Sequence, residues 1–272
     1  MAVYVSLGVG MALLLITGAI CDHLCQEVPD DITVPFAMLG TLTAAYQGRW
    51  LGALITVLLT LAVQVGYQPK LFKWLSDRII RRAYGDADTV AEVEADINQK
   101  SDLLYEKYGE KIVAVGLFVF IATTSAAGAV CVAKADSMLS RVVGVAAAVF
   151  VIGYYFISGR MLNKTVQEDD TSPEHEELTA LGGADVLVFI GLFGYFGLVN
   201  GVYAITAILL GVLILYVIRA IILRIMKKGK TAGFPLLPYF TACVPLGVLS
   251  VIYIAWDTAE LFADAFQILR LL

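Results

Sequence analysis

Residues 3–31 read VYVSLGVGMALLLITGAICDHLCQEVPDD, and this stretch decides the fold. From Val3 to Ile20 there is no charged side chain, and the apolar run is continuous rather than alternating. A bilayer core takes roughly 20 apolar residues of helix, so the run is long enough to cross one. It lacks the basic segment that precedes the apolar part of a secretory signal. It therefore reads as a first transmembrane helix. A polar stretch from Asp22 to Asp31 follows, in which Pro29 breaks the helix and sends the chain into a return span.

The whole chain has the same character. Of its 272 residues, 59% are hydrophobic and 16% are charged, and the mean hydropathy is +0.81. A soluble domain is about 45–50% apolar and about 25% charged. Too little polar surface exists here to cover a water-soluble globule, and a chain this apolar does not stay disordered. Lipid accepts helices or closed barrels, and barrels need short segments of alternating polarity. The fold class is all-α, a polytopic helical membrane protein with the lipid bilayer as its surroundings. A net charge of −5 gives no basic field for nucleic acid. Cys21, Cys25, Cys131 and Cys243 fall in or beside apolar runs and read as buried thiols. The Cys21/Cys25 pair finds no further ligands, so no metal site is expected.

Eight spans emerge along the chain: Val3–Ile20, Ile32–Tyr46, Trp50–Tyr67, Ile112–Ala133, Val142–Ser158, Leu181–Val199, Val202–Ile218 and Phe234–Trp256. Between the third and fourth, Gln68–Glu110 reads as a small helical extramembrane element, with Asp86-Ala87-Asp88 as its helix start. Residues 160–178 form an acidic loop, and the tail from Asp257 is amphipathic and suited to the membrane surface. With the N-terminus outside, fifteen of the nineteen Lys and Arg fall on the cytoplasmic side. Only Arg49, Lys134, Arg141 and Arg270 do not. The positive-inside rule therefore sets the orientation.

That orientation brings two acids to one depth. Asp22 ends the first span, and Asp185 lies a few residues into the sixth. Charged groups in a span are costly, about 2.5–3.5 kcal/mol at the centre on insertion scales, and so invite a functional reading. Two close carboxylates share one proton. The ionised member can take a proton from water while the protonated one polarises a peptide carbonyl, with no cofactor required. Taken singly, Asp22 is also an interfacial residue and Asp185 a helix-start charge favoured by the dipole. Gly182, Gly183 and Ala184 remove side chains beside Asp185, as close approach of an extended peptide requires. The same small residues also suit helix packing.

The D-x5-[IV]-P-[ND] pattern of Asp22 to Asp30, with the later Gly182-Gly183-Ala184-Asp185, resembles the type IV prepilin peptidases. The archaeal preflagellin (prearchaellin) and prepilin peptidases are the closer likeness. Pro235-Leu236-Leu237-Pro238-Tyr239-Phe240 is similar to the proline-containing segment of that family's last span. The resemblance implies that Asp22 and Asp185 are the catalytic pair. It places Gly182, Gly183, Ala184, Glu27 and Pro29 beside the substrate. It also implies removal of the short basic leader of archaellin or type IV pilin-like precursors, at the cytoplasmic face of the cell membrane.

Departures from the family pattern are specific. Ala184 replaces a common glycine, and Leu187 stands where many members have lysine. Glu27, Asp30 and Asp31 make the loop after the first span acidic, a charge expected to attract a basic leader. Family members bring the second aspartate after two intervening spans, whereas four intervene here. Gly85-Asp86-Ala87-Asp88 lies nearer the family spacing, but polar sequence follows it where a membrane helix should begin. The organisation expected is therefore 1–67, three spans with the first aspartate; 68–178, a cytoplasmic helical insertion, an extra membrane hairpin and the acidic loop; and 179–272, three spans with the second aspartate. The resemblance covers 1–67 and 179–256. The four-cysteine methyltransferase module of many bacterial relatives is absent, so no methylation is expected. Two other readings are a presenilin or signal-peptide-peptidase type of intramembrane protease and a proton-coupled transporter. Cys21 stands where the former has tyrosine, and no Pro-Ala-Leu occurs. The latter usually shows inverted repeats and mid-membrane charges.

Overall fold

A computed structural model describes residues 2–25, 28–64, 87–134, 149, 153, 183–225 and 236–271. Among them the chain is almost entirely helical. The helices are α1 (Ala2–Cys25), α2 (Asp30–Tyr46), α3 (Trp50–Gln64), α4 (Ala87–Lys134), α5 (Gly183–Phe196), α6 (Leu198–Ile225) and α7 (Leu236–Leu271). Three are long and apolar enough to cross a membrane, over Val3–Leu24, Leu198–Ile222 and Leu236–Ala255. A fourth joins them if the bent pair Asp102–Gly109 and Ala114–Val130 is one span. The expected second, third and sixth spans occupy helices of 17, 15 and 14 residues.

The α2 helix is the centre of the bundle. Every residue from Ile32 to Ala44 is buried, and α1, α3, α4 and α5 all pack against it. From Ile32 to Ala44 it is enclosed by protein, and this stretch carries three buried threonines. The hydroxyls of Thr41 and Thr43 bond back to the carbonyls of Ala37 and Leu39, at 3.1 and 2.8 Å. The Thr41 and Thr56 hydroxyls lie 2.9 Å apart and join α2 to α3. Buried polar groups stay affordable only when satisfied in this way.

Glycines set how closely α2 and α5 approach. A Cβ at Gly40 would overlap the backbone of Gly191, and one at Gly191 would meet the Phe36 ring at 2.5 Å. Pro35 removes the N–H that the Asp31 carbonyl would accept within the helix. Gly116 of α4 lies directly against that carbonyl oxygen. By contrast α6 turns large apolar side chains outward, with Leu210, Leu213 and Ile214 each more than half exposed. An outward face of this kind belongs in lipid.

Several boundaries differ from the expectations. The sixth span was expected to run to Val199, but α5 ends at Phe196. Gly197, at φ +86, closes the helix in the left-handed region, and its N–H bonds to the Phe193 carbonyl at 2.9 Å. The extramembrane element and fourth span were expected as separate pieces. Residues 68–86 of the former, with Asp86 of its expected start, lie outside the described residues; its remainder, from Ala87, runs into the fourth span as one helix, α4, bent by 60° between Gly109 and Ala114. The tail from Asp257 continues α7 rather than starting a new element. The expected fifth span, apart from residues 149 and 153, and the 160–178 loop lie outside the described residues.

The close contact of α2 with α5 leads to a stability prediction. Gly40→Ala should lower the thermal unfolding temperature in detergent, at a cost of about 1–3 kcal/mol for overpacking. Gly52→Ala should not, because a Cβ there meets only Arg49 Cβ at 3.9 Å and alanine favours helix. Equal shifts for the two variants would contradict this packing.

Candidate functional site

Asp22 lies in the last turn of α1 and is 7% exposed. A buried carboxylate needs a donor, and it comes from far along the chain. The peptide N–H of Leu237 donates to Asp22 Oδ2 at 2.7 Å. Leu237 is the second residue of α7, so its N–H is one of the groups that a helix start leaves without an internal acceptor. Pro238, next in the chain, has no N–H to satisfy. The carboxylate also sits at the positive end of the α7 dipole, where negative charge is favoured. Asp22 thus caps the last helix. Sequence reasoning missed this contact, because it joins residues 215 positions apart.

Asp185 is the third residue of α5 and is half-buried. Contacts at the far end of α5 establish which end of the bundle it occupies. The Tyr4 hydroxyl donates to the Tyr195 carbonyl at 2.9 Å, and the two rings lie 4.7 Å apart. The start of α1 therefore meets the end of α5. Following α1 forward to Asp22 and α5 backward to Asp185 leads to the same end. Nearer that end, Leu14, Ile32, Val188 and Leu237 converge at one apolar junction. Phe189 and Phe240 stack edge to face beside it, with centroids 5.6 Å apart. Both aspartates lie beyond the junction, with Asp185 about one and a half to two helical turns deeper than Asp22 by residue count.

The other proposed site residues are distributed as follows. Pro29 is buried at the N-cap of α2, and its carbonyl accepts from Ile32 N–H at 3.0 Å and Thr33 N–H at 3.2 Å. Gly183 and Ala184 open α5 and are half-buried. Among the described residues, a Cβ at Gly183 would meet only Val63 Cγ1, at 3.5 Å, an ordinary contact. Tight helix packing accounts for Gly40 and Gly191; it does not account for Gly183. Glu27 and Gly182 lie outside the described residues.

Basic side chains divide between the two ends. Lys107 and Lys111 flank the Tyr108 ring on the part of α4 that precedes Gly116, hence on the Asp22 side. Arg219 lies over the ring of Tyr239, two residues beyond Leu237. Arg49 is at the opposite end. Its Nη2 donates to the carbonyls of Gly194 at 2.8 Å and Tyr195 at 3.0 Å, capping the end of α5. The sequence marks Arg49 as one of the few basic residues off the cytoplasmic side; its capping role needed the fold. No protein-family model, curated protein or solved structure matches this chain.

The Asp22 contact can be tested in the folded protein. Asp22→Asn keeps an acceptor for Leu237 N–H, whereas Asp22→Leu leaves that donor buried without one, at a cost of about 1–3 kcal/mol. Hydrogen exchange at Leu237 should be slow in the unaltered protein and in Asp22→Asn, and faster in Asp22→Leu. Identical exchange in all three would contradict the cap.

Proposed function

We propose that this chain is a membrane-embedded aspartic endopeptidase that removes the short basic leader of archaellin or type IV pilin-like precursors at the cytoplasmic face of the cell membrane. The observation that carries the reading is the arrival of Asp22 and Asp185 at one end of the bundle, on helices separated by most of the chain. The proposal includes eight spans with the N-terminus outside. The three long apolar helices and the lipid-facing surface of α6 support the membrane setting. Lys107, Lys111 and Arg219 at the Asp22 end, against Arg49 at the other, support that end as the cytoplasmic one.

In this reading the two carboxylates share a proton at working pH. The ionised one takes a proton from water as the oxygen attacks the scissile carbonyl. The protonated one donates to that carbonyl oxygen and stabilises the tetrahedral intermediate. Collapse of the intermediate returns a proton to the leaving amine, and the pair is restored. Gly183, which none of its described neighbours requires to be small, leaves room for the extended substrate backbone beside Asp185. The acidic residues Glu27, Asp30 and Asp31 attract the basic leader.

The test is direct. Detergent-solubilised protein incubated with a precursor archaellin or pilin should release the leader. Asp22→Asn and Asp185→Asn should each lower the rate by about a thousandfold or more, as loss of one member of a catalytic unit does. Normal cleavage by either variant would remove the dyad mechanism.

A further inference from the structure

Leu237 meets both arms of the site, and among the described residues it donates a peptide N–H to Asp22. Its N–H holds Asp22 Oδ2 at 2.7 Å, and its side chain reaches within 3.0 Å of where a Cβ on Gly18 would stand, one turn before Asp22. The same side chain shares the apolar junction with Val188, one turn after Asp185. Leu237 is itself 3% exposed, so its placement is determined by packing on all sides. A carboxylate on a single helix end has free rotation about its side-chain bonds. Asp22 is restrained twice, once through its backbone by the Leu237–Gly18 contact and once through its oxygen by the N–H.

We infer that the Leu237 peptide N–H is a positioning group for Asp22, which makes the first turn of α7 a working part of the site. This rests on the peptidase reading above. Leu237 touches no reacting atom. It acts through Asp22, by fixing the carboxylate plane so that attacking water meets it in one orientation. Orientation of this kind is where loss of a single contact remote from the bond-making atoms slows the chemical step. Pro235 precedes the helix and Pro238 lies within its first turn, so between them only Leu236 and Leu237 carry a peptide N–H, and the one on Leu237 is aimed at Asp22.

The experiment removes the N–H alone. Leu237 is replaced by its α-hydroxy analogue through nonsense suppression, which turns the amide into an ester and leaves the side chain intact. Leu237→Ala is the counterpart, keeping the N–H and trimming the side chain. Two quantities are read on the full-length protein in detergent: the infrared carboxylate stretch of Asp22, assigned by difference from Asp22→Asn, and steady-state cleavage of a precursor archaellin or pilin. The ester should shift the band and lower kcat about tenfold with KM unchanged, the pattern of an interaction that matters to the chemical step rather than to binding. Leu237→Ala, which keeps the N–H and loses only the side-chain contact with Gly18, should shift the band less than the ester does. An ester protein with an unshifted band overturns the inference, and so does a shifted band with unchanged kcat, since the contact is then a helix cap only. Failure of the peptidase reading is seen separately: the unaltered protein would release no leader from any precursor, and the positioning role would fall with it.

Discussion

A carboxylate buried among apolar helices must be given a hydrogen-bond donor or it costs several kcal/mol. The hydrogen bond from Leu237 N–H to Asp22 is how this fold meets that demand. Much else follows from it. The start of α7 is drawn to the end of α1, and the side chain that comes with it fills the junction between α1, α2 and α5. A helix start supplies unsatisfied N–H groups, and an acid supplies the acceptor. Each resolves a difficulty that the other would have in lipid, where no water stands by.

The second constraint is the central position of α2. Because it is enclosed by protein, its 17 residues need not match the bilayer by themselves, and its polar hydroxyls can be satisfied internally. Its glycine contacts bring the two helices close where Phe36, Gly40 and Thr41 face Gly191 and Gly194. That closeness, with the Tyr4–Tyr195 and Arg49 contacts at the far end, anchors α5 relative to α1. The position of Asp185 is thus a consequence of packing well away from it. In the proposed mechanism, function depends on contacts at both ends of the bundle.

Much of the helical architecture was legible in the sequence. The apolar run after Val3, the turn at Pro29 and the start of α3 at Trp50 all appear in the fold, because periodicity and helix breakers are local signals. The end of α5 was misjudged because Gly197 sits in an uninterrupted apolar stretch, where a single left-handed glycine leaves no mark in hydropathy. The union of the extramembrane element with the fourth span was hidden for a similar reason. Polarity changes near Lys111, where the helix bends without ending, and polarity is not secondary structure. In the candidate site, the sequence singled out Asp22 and Asp185 as costly acids at helix ends. It gave no sign of Leu237 as a partner of Asp22, since a backbone donor has no residue signature and the pairing is long-range. The distinction between packing glycines and Gly183 also required three-dimensional neighbours.

The central claim is that Asp22 and Asp185 serve one site on one membrane face. Spin labels at His23→Cys and Ala184→Cys, in protein whose Cys21, Cys25, Cys131 and Cys243 are replaced by alanine, measure this by electron–electron double resonance in lipid. The account predicts a single separation well under the thickness of the hydrocarbon core, which is about 30 Å, and a shorter one when a precursor peptide is bound. A separation equal to or greater than that thickness would contradict it.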